Sequence, residues 1–158
     1  MDIGGSGIKG CLVDLDEGLL AGERLKIETP QPSLPDPVCE VVSRIVDSFG
    51  WTGRIGVTFP GVMKHGVAHT AANMDKSWIG TNLAASVARL IPGEVETLND
   101  ADAAGLAEMR YGAGRDQRGG LARGVDRQLE QLGGIGLGSF GAGEHAADPA
   151  RRPGRRTR

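Results

Sequence analysis

The run Asp2-Ile3-Gly4-Gly5-Ser6-Gly7-Ile8-Lys9-Gly10 limits the possible folds more than any other stretch, because the residues after it are not helical in character. Cys11-Leu12-Val13-Asp14-Leu15 is strand-like, whereas a Walker loop and a dinucleotide-binding fingerprint both need a helix to open at that point. The run is therefore a glycine turn between two strands. Glycines without a Cβ let backbone N–H groups approach an anion closely, and Ser6 adds a hydroxyl, Lys9 a cation and Asp2 a carboxylate able to organise Mg²⁺ or water. This is the outline of a grip for polyphosphate or a nucleotide. The alternative is an ordinary hairpin turn, in which Gly4-Gly5 and Gly7 are equally at home.

The rest of the first 112 residues alternates strands and helices. Ile8 to Leu15 and Leu19 to Glu28 read as strands joined by an Asp16-Glu17-Gly18 turn, so the first hairpin continues into a meander. Pro30, Pro32, Pro35 and Pro37 form an extended connector. Asp36-Pro37 then reads as a helix N-cap followed by proline at the first helical position. Val38, Val41, Val42, Ile45, Val46 and Phe49 make one apolar helical stripe that ends near Gly50. Arg54 to Phe59 is a buried strand closed by Pro60-Gly61, and Val62 to Thr70 is a hairpin turning at Lys64-His65-Gly66. Asn82 to Leu90 is helical, Val95 to Leu98 is a strand, and a helix runs from Ala101 to about Tyr111 and stops at Gly112. A meander followed by alternating strands and helices indicates an α/β fold.

Charge and composition divide the 158 residues near Gly114. Residues 1–112 carry 9 basic and 15 acidic side chains, a net charge of -6, while residues 113–158 carry 9 arginines and 5 acidic residues, a net charge of +4, which together give the -2 of the whole. Gly, Ala, Arg and Pro supply 28 of the last 46 residues, the composition expected of a GC-rich gene read out of frame. The chain is thus expected to consist of a folded domain over 1–114 and a disordered or non-native tail over 115–158. The competing reading is a basic arm for nucleic acid or polyphosphate built on Arg151-Arg152 and Arg155-Arg156, but the tail offers only Phe140 for base stacking. No apolar run approaches the roughly 20 residues of a membrane span, and no basic-then-apolar leader follows Met1, so a cytoplasmic location is expected, with neither membrane nor nucleic acid as partner. Cys11, in a predicted strand, and Cys39, in a predicted helix, form no Cys-x-x-Cys pair and read as small core residues.

Three further groups carry chemistry. Asn99-Asp100 falls at the carboxyl end of a predicted strand, where α/β sheets place ligands. An aspartate there can take a proton from a substrate hydroxyl while the asparagine holds another hydroxyl; the alternative is a plain helix cap. Thr58-Phe59-Pro60-Gly61 also ends a strand. Asn73-Met74-Asp75-Lys76-Ser77-Trp78 sets amides and hydroxyls beside an indole, which suits a sugar, or else is a surface loop pinned by Trp78 in the core. His65, His69 and His145 have no third ligand at metal spacing and are read as non-metal residues.

The first hairpin, with its Asp-x-Gly-Gly-Ser-x-x-Lys pattern, resembles that of the actin-like and hexokinase-like kinases. Taken together, Asp2 to Gly10, Thr58-Phe59-Pro60-Gly61-Val62-Met63-Lys64-His65-Gly66, Thr70 to Thr81 and Leu98 to Gly112 resemble the polyphosphate glucokinases of the ROK group of sugar kinases. The resemblance covers about the first 114 residues. It implies a ribonuclease-H-like, actin-like fold and transfer of a phosphoryl group from inorganic polyphosphate, or less well ATP, to the 6-hydroxyl of glucose, with Mg²⁺ accompanying the donor. On it, Asp100 is the catalytic base, and Asn99 and Asn73 are sugar contacts. Gly61 shapes the floor of the sugar pocket, and Asp2, Gly4, Gly5, Ser6 and Lys9 form the first phosphate element. Lys64 and Lys76 are polyphosphate contacts, and the intact family implies a homodimer.

The departures from the pattern are also informative. Family members continue after Tyr-Gly-Ala-Gly with a hydrophobic strand, a second Gly-Thr-Gly phosphate loop, a Glu and His that complete the sugar site and, in many ROK proteins, a cysteine-rich zinc site. Gly133-Gly134-Ile135-Gly136-Leu137-Gly138 echoes the loop without its threonine, and Glu144-His145 is a poor match to the pair. Phosphoryl transfer depends on positioning, and a misplacement of about 1 Å can cost on the order of a hundredfold in rate. The chain is therefore expected to have little or no turnover of its own, and its first strand is expected to be clipped. A non-catalytic sugar-binding regulator and a truncated product without function are the alternatives.

Overall fold

The computed structural model describes residues 1–116. The expectations placed on the tail, including the Gly133 to Gly138 echo, Phe140, Glu144-His145 and the arginine pairs, lie outside the described residues.

A five-stranded mixed sheet forms the frame. Its strands are β1 (Asp2–Ile3), β2 (Gly7–Gly10), β5 (Leu25–Glu28), β6 (Ile55–Phe59) and β9 (Val95–Asn99), in the spatial order β5-β2-β1-β6-β9. β2 is antiparallel to β1 and β5, whereas β1, β6 and β9 run parallel. Two small hairpins stand outside the frame: β3 (Val13–Asp14) with β4 (Leu19–Leu20), and β7 (Met63–Lys64) with β8 (Val67–Ala68). Three helices complete the described part: α1 (Pro35–Ser48), α2 (Leu83–Ala88) and α3 (Asp100–Tyr111).

Paired residues of neighbouring strands share a sheet face, so the register sorts the side chains. Ile3, Ile8, Val57 and Phe59 fall on the face packed against α1, and all four are at most 1 % exposed. From α1 the stripe Val38, Cys39, Val41, Val42, Ile45 and Val46 fills the other side of this core. Burial pushes the Cys39 thiol up to about 11, with the nearby Asp36 charge adding to the effect, so Cys39 is a packed, unreactive thiol. Among the described residues no helix is long and apolar enough to cross a membrane.

Four details differ from the sequence expectation. The strand expected over Ile8 to Leu15 ends at Gly10, where α1 passes so close that a Cβ would lie 2.5 Å from Ile45 Cγ2 and 2.7 Å from Met1 Sδ. From there the chain leaves the sheet as the β3–β4 hairpin, so the strand expected over Leu19 to Glu28 is likewise two pieces. The apolar residues read as core strand, Val13, Leu15, Leu19 and Leu20, are consequently about half exposed or more. Cys11 lies between strands and is half-buried rather than a core strand residue. Finally, α1 begins at Pro35 after Leu34, which offers no side-chain cap; Asp36 sits in the first helical turn, where its charge favours the helix dipole. Both Pro35 and Pro37 fit that first turn because its N–H groups have no partner within the helix.

Glu96 sits on the sheet face opposite α1, level with Gly56. Burial, with the neighbouring Glu94 charge, raises its pKa, and Arg54, which pairs with Glu94 at 2.9 Å, offsets only part of this. A carboxyl raised in the folded state stabilises when protonated, and that contribution is lost as pH rises from the unfolded value of 4.5 through the folded one. Glu96→Gln is therefore expected to raise the melting temperature at pH 7 and to leave it nearly unchanged near pH 4, in paired thermal melts.

Candidate functional site

Three strands end on one edge of the sheet. Asp2 lies opposite Thr58 between β1 and β6, and Thr58 and Phe59 lie opposite Leu98 and Asn99 between β6 and β9. The turns at their ends, Gly4-Gly5, Pro60-Gly61 and Asn99-Asp100, therefore stand side by side. This is the carboxyl edge, where parallel strands direct their turns and helix N-termini toward ligands.

The turn between β1 and β2 is closed by the Gly4 N–H on the Gly7 carbonyl at 3.1 Å. Ser6 is exposed at its tip. Lys9 faces Asp2 across the hairpin, with its Nζ 3.4 Å from Asp2 Oδ2, while Thr58 Oγ1 donates to Asp2 Oδ1 at 3.0 Å. The Lys9 and Asp2 side chains are 39 % and 49 % exposed, so the pair contributes no more than about 1 kcal/mol and Lys9 can leave it for a phosphate oxygen at small cost. Thr58 steadies the carboxylate from the other side.

Gly5 adjoins the second loop. A Cβ at Gly5 would lie 2.6 Å from the Asn73 carbonyl oxygen and 3.0 Å from the Asn73 Cβ. Asn73 is exposed and holds φ 58°, a left-handed conformation that asparagine tolerates better than most residues. The loop then passes into a single 3₁₀ turn, Lys76–Trp78, capped by Asp75, which accepts the Ser77 N–H at 2.8 Å. Hydrogen bonds from the Ser77 side chain and backbone hold the Asp75 carboxyl below the usual range.

On the other side of the edge, Gly61 passes so close to the Thr70 carbonyl that a side chain there would collide with it. The Gly61 carbonyl accepts Asn99 Nδ2 at 2.9 Å, and Asn99 Oδ1 accepts the N–H groups of Ala101 at 2.8 Å and Asp102 at 3.2 Å. Asn99 thus caps α3 and ties it to Gly61 with one amide N–H left over. Asp100 opens α3, exposed, with Oδ1 accepting the Ala101 N–H at 2.9 Å and its second oxygen available to a ligand.

The fold thus gathers Asp2, Gly4, Gly5, Ser6, Lys9, Gly61, Asn73, Asn99 and Asp100 along one edge and its adjoining loop. Lys64, on β7, and Lys76, at the start of the 3₁₀ turn, are exposed, and neither is bonded to the Gly4–Gly7 turn among the described residues. Trp78 is not a platform for a sugar. Its indole is fully buried, tilted against Phe59 with ring centroids 4.8 Å apart, and its Nε1–H donates to the Ser33 carbonyl at 2.8 Å. The apolar environment that the sequence allowed on either side of this loop is the core. Sequence reasoning also missed Thr58 as the partner of Asp2, and Thr29, Gln31 and Ser33, which bond to the two loops; the only signal for the last three was polar residues among the connector's prolines.

Comparison with known proteins covers the same stretch of the chain. The sequence model of the ROK family matches residues 1–127. A polyphosphate glucokinase of Mycobacterium tuberculosis (strain H37Rv) is 57 % identical over 120 residues, which are 75 % of this chain and 45 % of that one. The Mycobacterium leprae (strain TN) polyphosphate glucokinase is also 57 % identical over 120 residues, 37 % of its length. Among solved structures, the inorganic polyphosphate/ATP-glucomannokinase of Arthrobacter sp. strain KM superposes with a TM-score of 0.71 at 50 % identity, over 75 % of this chain and 49 % of that chain. A ROK family glucokinase from Streptomyces griseus, in complex with glucose and AMPPNP, gives 0.60 at 30 % identity, over 73 % and 36 %. The chain spans about half the length, or less, of the relatives it matches. The sheet order and these superpositions together identify the fold as the α/β, actin-like one.

Proposed function

The chain belongs to the ROK family, and from that membership we propose that it carries the phosphate turn and the proton-accepting edge of a glucokinase that uses inorganic polyphosphate or ATP. The observation that supports this most is the register: Asp2 beside Thr58, and Phe59 beside Asn99, bring the turns after three parallel strands to one edge. The reaction forms a bond between the 6-hydroxyl oxygen of glucose and the terminal phosphorus of the donor and breaks the bridging P–O bond. In this proposal Asp100 accepts the hydroxyl proton through its open carboxylate oxygen, and Asn99 and Asn73 hold other sugar hydroxyls. Gly61 keeps the pocket floor low. The N–H groups of Gly4 and Gly5, the Ser6 hydroxyl and Lys9 receive donor phosphates, with Lys64 and Lys76 available to a longer polyphosphate.

Mg²⁺ fits this chemistry, since that ion is commonly held by one or two carboxylates together with substrate phosphates and waters. Asp2, held by Thr58 and half exposed, is the residue that would carry it. When bound, Mg²⁺ neutralises charge on the donor oxygens. The proposal also gives this chain, which spans about half or less of its relatives' length, low turnover, because phosphoryl transfer depends on the joint positioning of donor and acceptor. A cytoplasmic setting and, for the intact enzyme, a homodimer belong to the same proposal.

The test is calorimetric titration of the 158-residue chain with glucose and, separately, with sodium tripolyphosphate and Mg²⁺, alongside measurement of glucose 6-phosphate. Glucose is expected to bind, and Asp100→Ala is expected to weaken it about tenfold or more, the usual loss for a hydrogen bond to a charged group. Lys9→Ala is expected to weaken tripolyphosphate binding by a similar factor. Absence of binding by both ligands would remove the reading, and turnover at rates typical of an intact kinase would remove its low-activity part.

A further inference from the structure

The connector between β5 and α1 is bonded to both loops. Thr29 Oγ1 donates to the Gly4 carbonyl at 2.5 Å, and Gln31 Nε2 donates to the Gly5 carbonyl at 3.1 Å. A little further along, Ser33 Oγ accepts the Asp75 N–H at 2.9 Å and the Ser33 carbonyl accepts the Trp78 indole N–H at 2.8 Å. Thr29 and Ser33 are 6 % and 5 % exposed, so the bonds at these two anchors are partly or fully shielded from water and costly to leave unmade, whereas the Gln31 bond is exposed. From residue 29 to residue 33 a chain can reach at most about 14 Å, which fixes how far apart the two loops can move while the bonds hold. At the far side the loops also touch directly, Gly5 against Asn73.

We propose that Thr29 and Ser33 are positioning residues that hold the phosphate turn Gly4–Gly7 and the sugar loop Asn73–Trp78 in a fixed relation, so that ordering one loop orders the other. The inference rests on the proposed assignment of donor and acceptor to these loops. Its physical content is a short strap with a polar anchor at each end. Its benefit to phosphoryl transfer is alignment, because the donor phosphorus and the attacking oxygen must meet in line and small displacements are expensive.

Amide hydrogen exchange on the 158-residue chain, alone and with sodium tripolyphosphate and Mg²⁺, tests the strap. Thr29→Val keeps the side-chain shape and removes the donor to Gly4. It is expected to speed exchange about tenfold at Asp75 to Ile79 as well as at Gly4 to Gly7, to leave Val41, Val42 and Ile45 of α1 unchanged, and to be rescued by Thr29→Ser. Gln31→Ala, at an exposed position with little risk to folding, is expected to act in the same direction. In the unaltered chain tripolyphosphate is expected to protect both loops together, and in Thr29→Val only the first. Faster exchange confined to Gly4 to Gly7, or spread through α1 as well, overturns the proposal in favour of a purely local or purely structural role. If tripolyphosphate protects neither loop, the phosphate reading fails and takes the positioning role with it, whereas the exchange pattern of the ligand-free variants reports separately on the strap.

Discussion

Trp78→Ala is expected to remove about 3–5 kcal/mol of folding free energy, the range for deleting a large aromatic side chain from a packed core. The indole is fully buried, lies against Phe59 at 4.8 Å between centroids, and its N–H satisfies the Ser33 carbonyl. Alanine would therefore leave both a cavity and a buried carbonyl without its partner. Trp78→Phe restores most of the volume but not the N–H, and is expected to fall between the two. Urea unfolding followed by circular dichroism measures the series. Equal stability of Trp78→Ala and the unaltered chain would mean that the loop is not anchored through this residue.

The second large effect is expected from Gly61→Ala. The added methyl group would meet the Thr70 carbonyl and approach the Phe59 ring to 3.1 Å. The backbone on both sides is committed: Ala72 N–H bonds to the Pro60 carbonyl at 2.7 Å, His69 N–H to the Val62 carbonyl at 2.8 Å, and Val62 N–H to Thr70 Oγ1 at 2.9 Å. The hairpin cannot shift without breaking one of these, so a loss of about 1–3 kcal/mol is expected, as for overpacking elsewhere. A displaced Gly61 also takes its carbonyl away from Asn99, which caps α3 beside Asp100. Glucose binding should consequently weaken more than in a core variant of equal stability, such as Val57→Ala. Calorimetry on the two variants, matched by urea midpoint, makes that comparison.

The parts of the fold visible in the sequence are those with a strong local period. The stripe from Val38 to Val46 identified α1, and the apolar run ending at Pro60-Gly61 identified β6, because both patterns come from burying one face. The strand ends of the site were legible for a related reason: Gly4-Gly5, Pro60-Gly61 and Asn99-Asp100 are residue types that stop strands or begin helices. Their alignment was not legible from local pattern. Nothing in the sequence around Asp2 says that it pairs with Thr58, and the resemblance to the sugar kinases named roles without giving the register. The close passage of Ile45 over Gly10 was hidden as well, because Ile45 belongs to another element. The strap residues were hidden for the same reason, since Thr29, Gln31 and Ser33 bond to chain segments far away in sequence.

The parallel pairing of β1 with β6 has a kinetic consequence. Asp2 and Thr58 are 56 positions apart, and joining them requires closing a loop that contains the β3–β4 hairpin, the connector and α1. The entropy of that closure is lost before the pairing repays it, so the carboxyl edge that carries the candidate site is a non-local structure and is expected to form late. The β2–β5 ladder and α1 are built from nearer neighbours and are available earlier. During synthesis the Gly4–Gly7 turn therefore leaves the ribosome well before the strand that completes its surroundings, and the exposed edge of β1 must wait for β6 to be made.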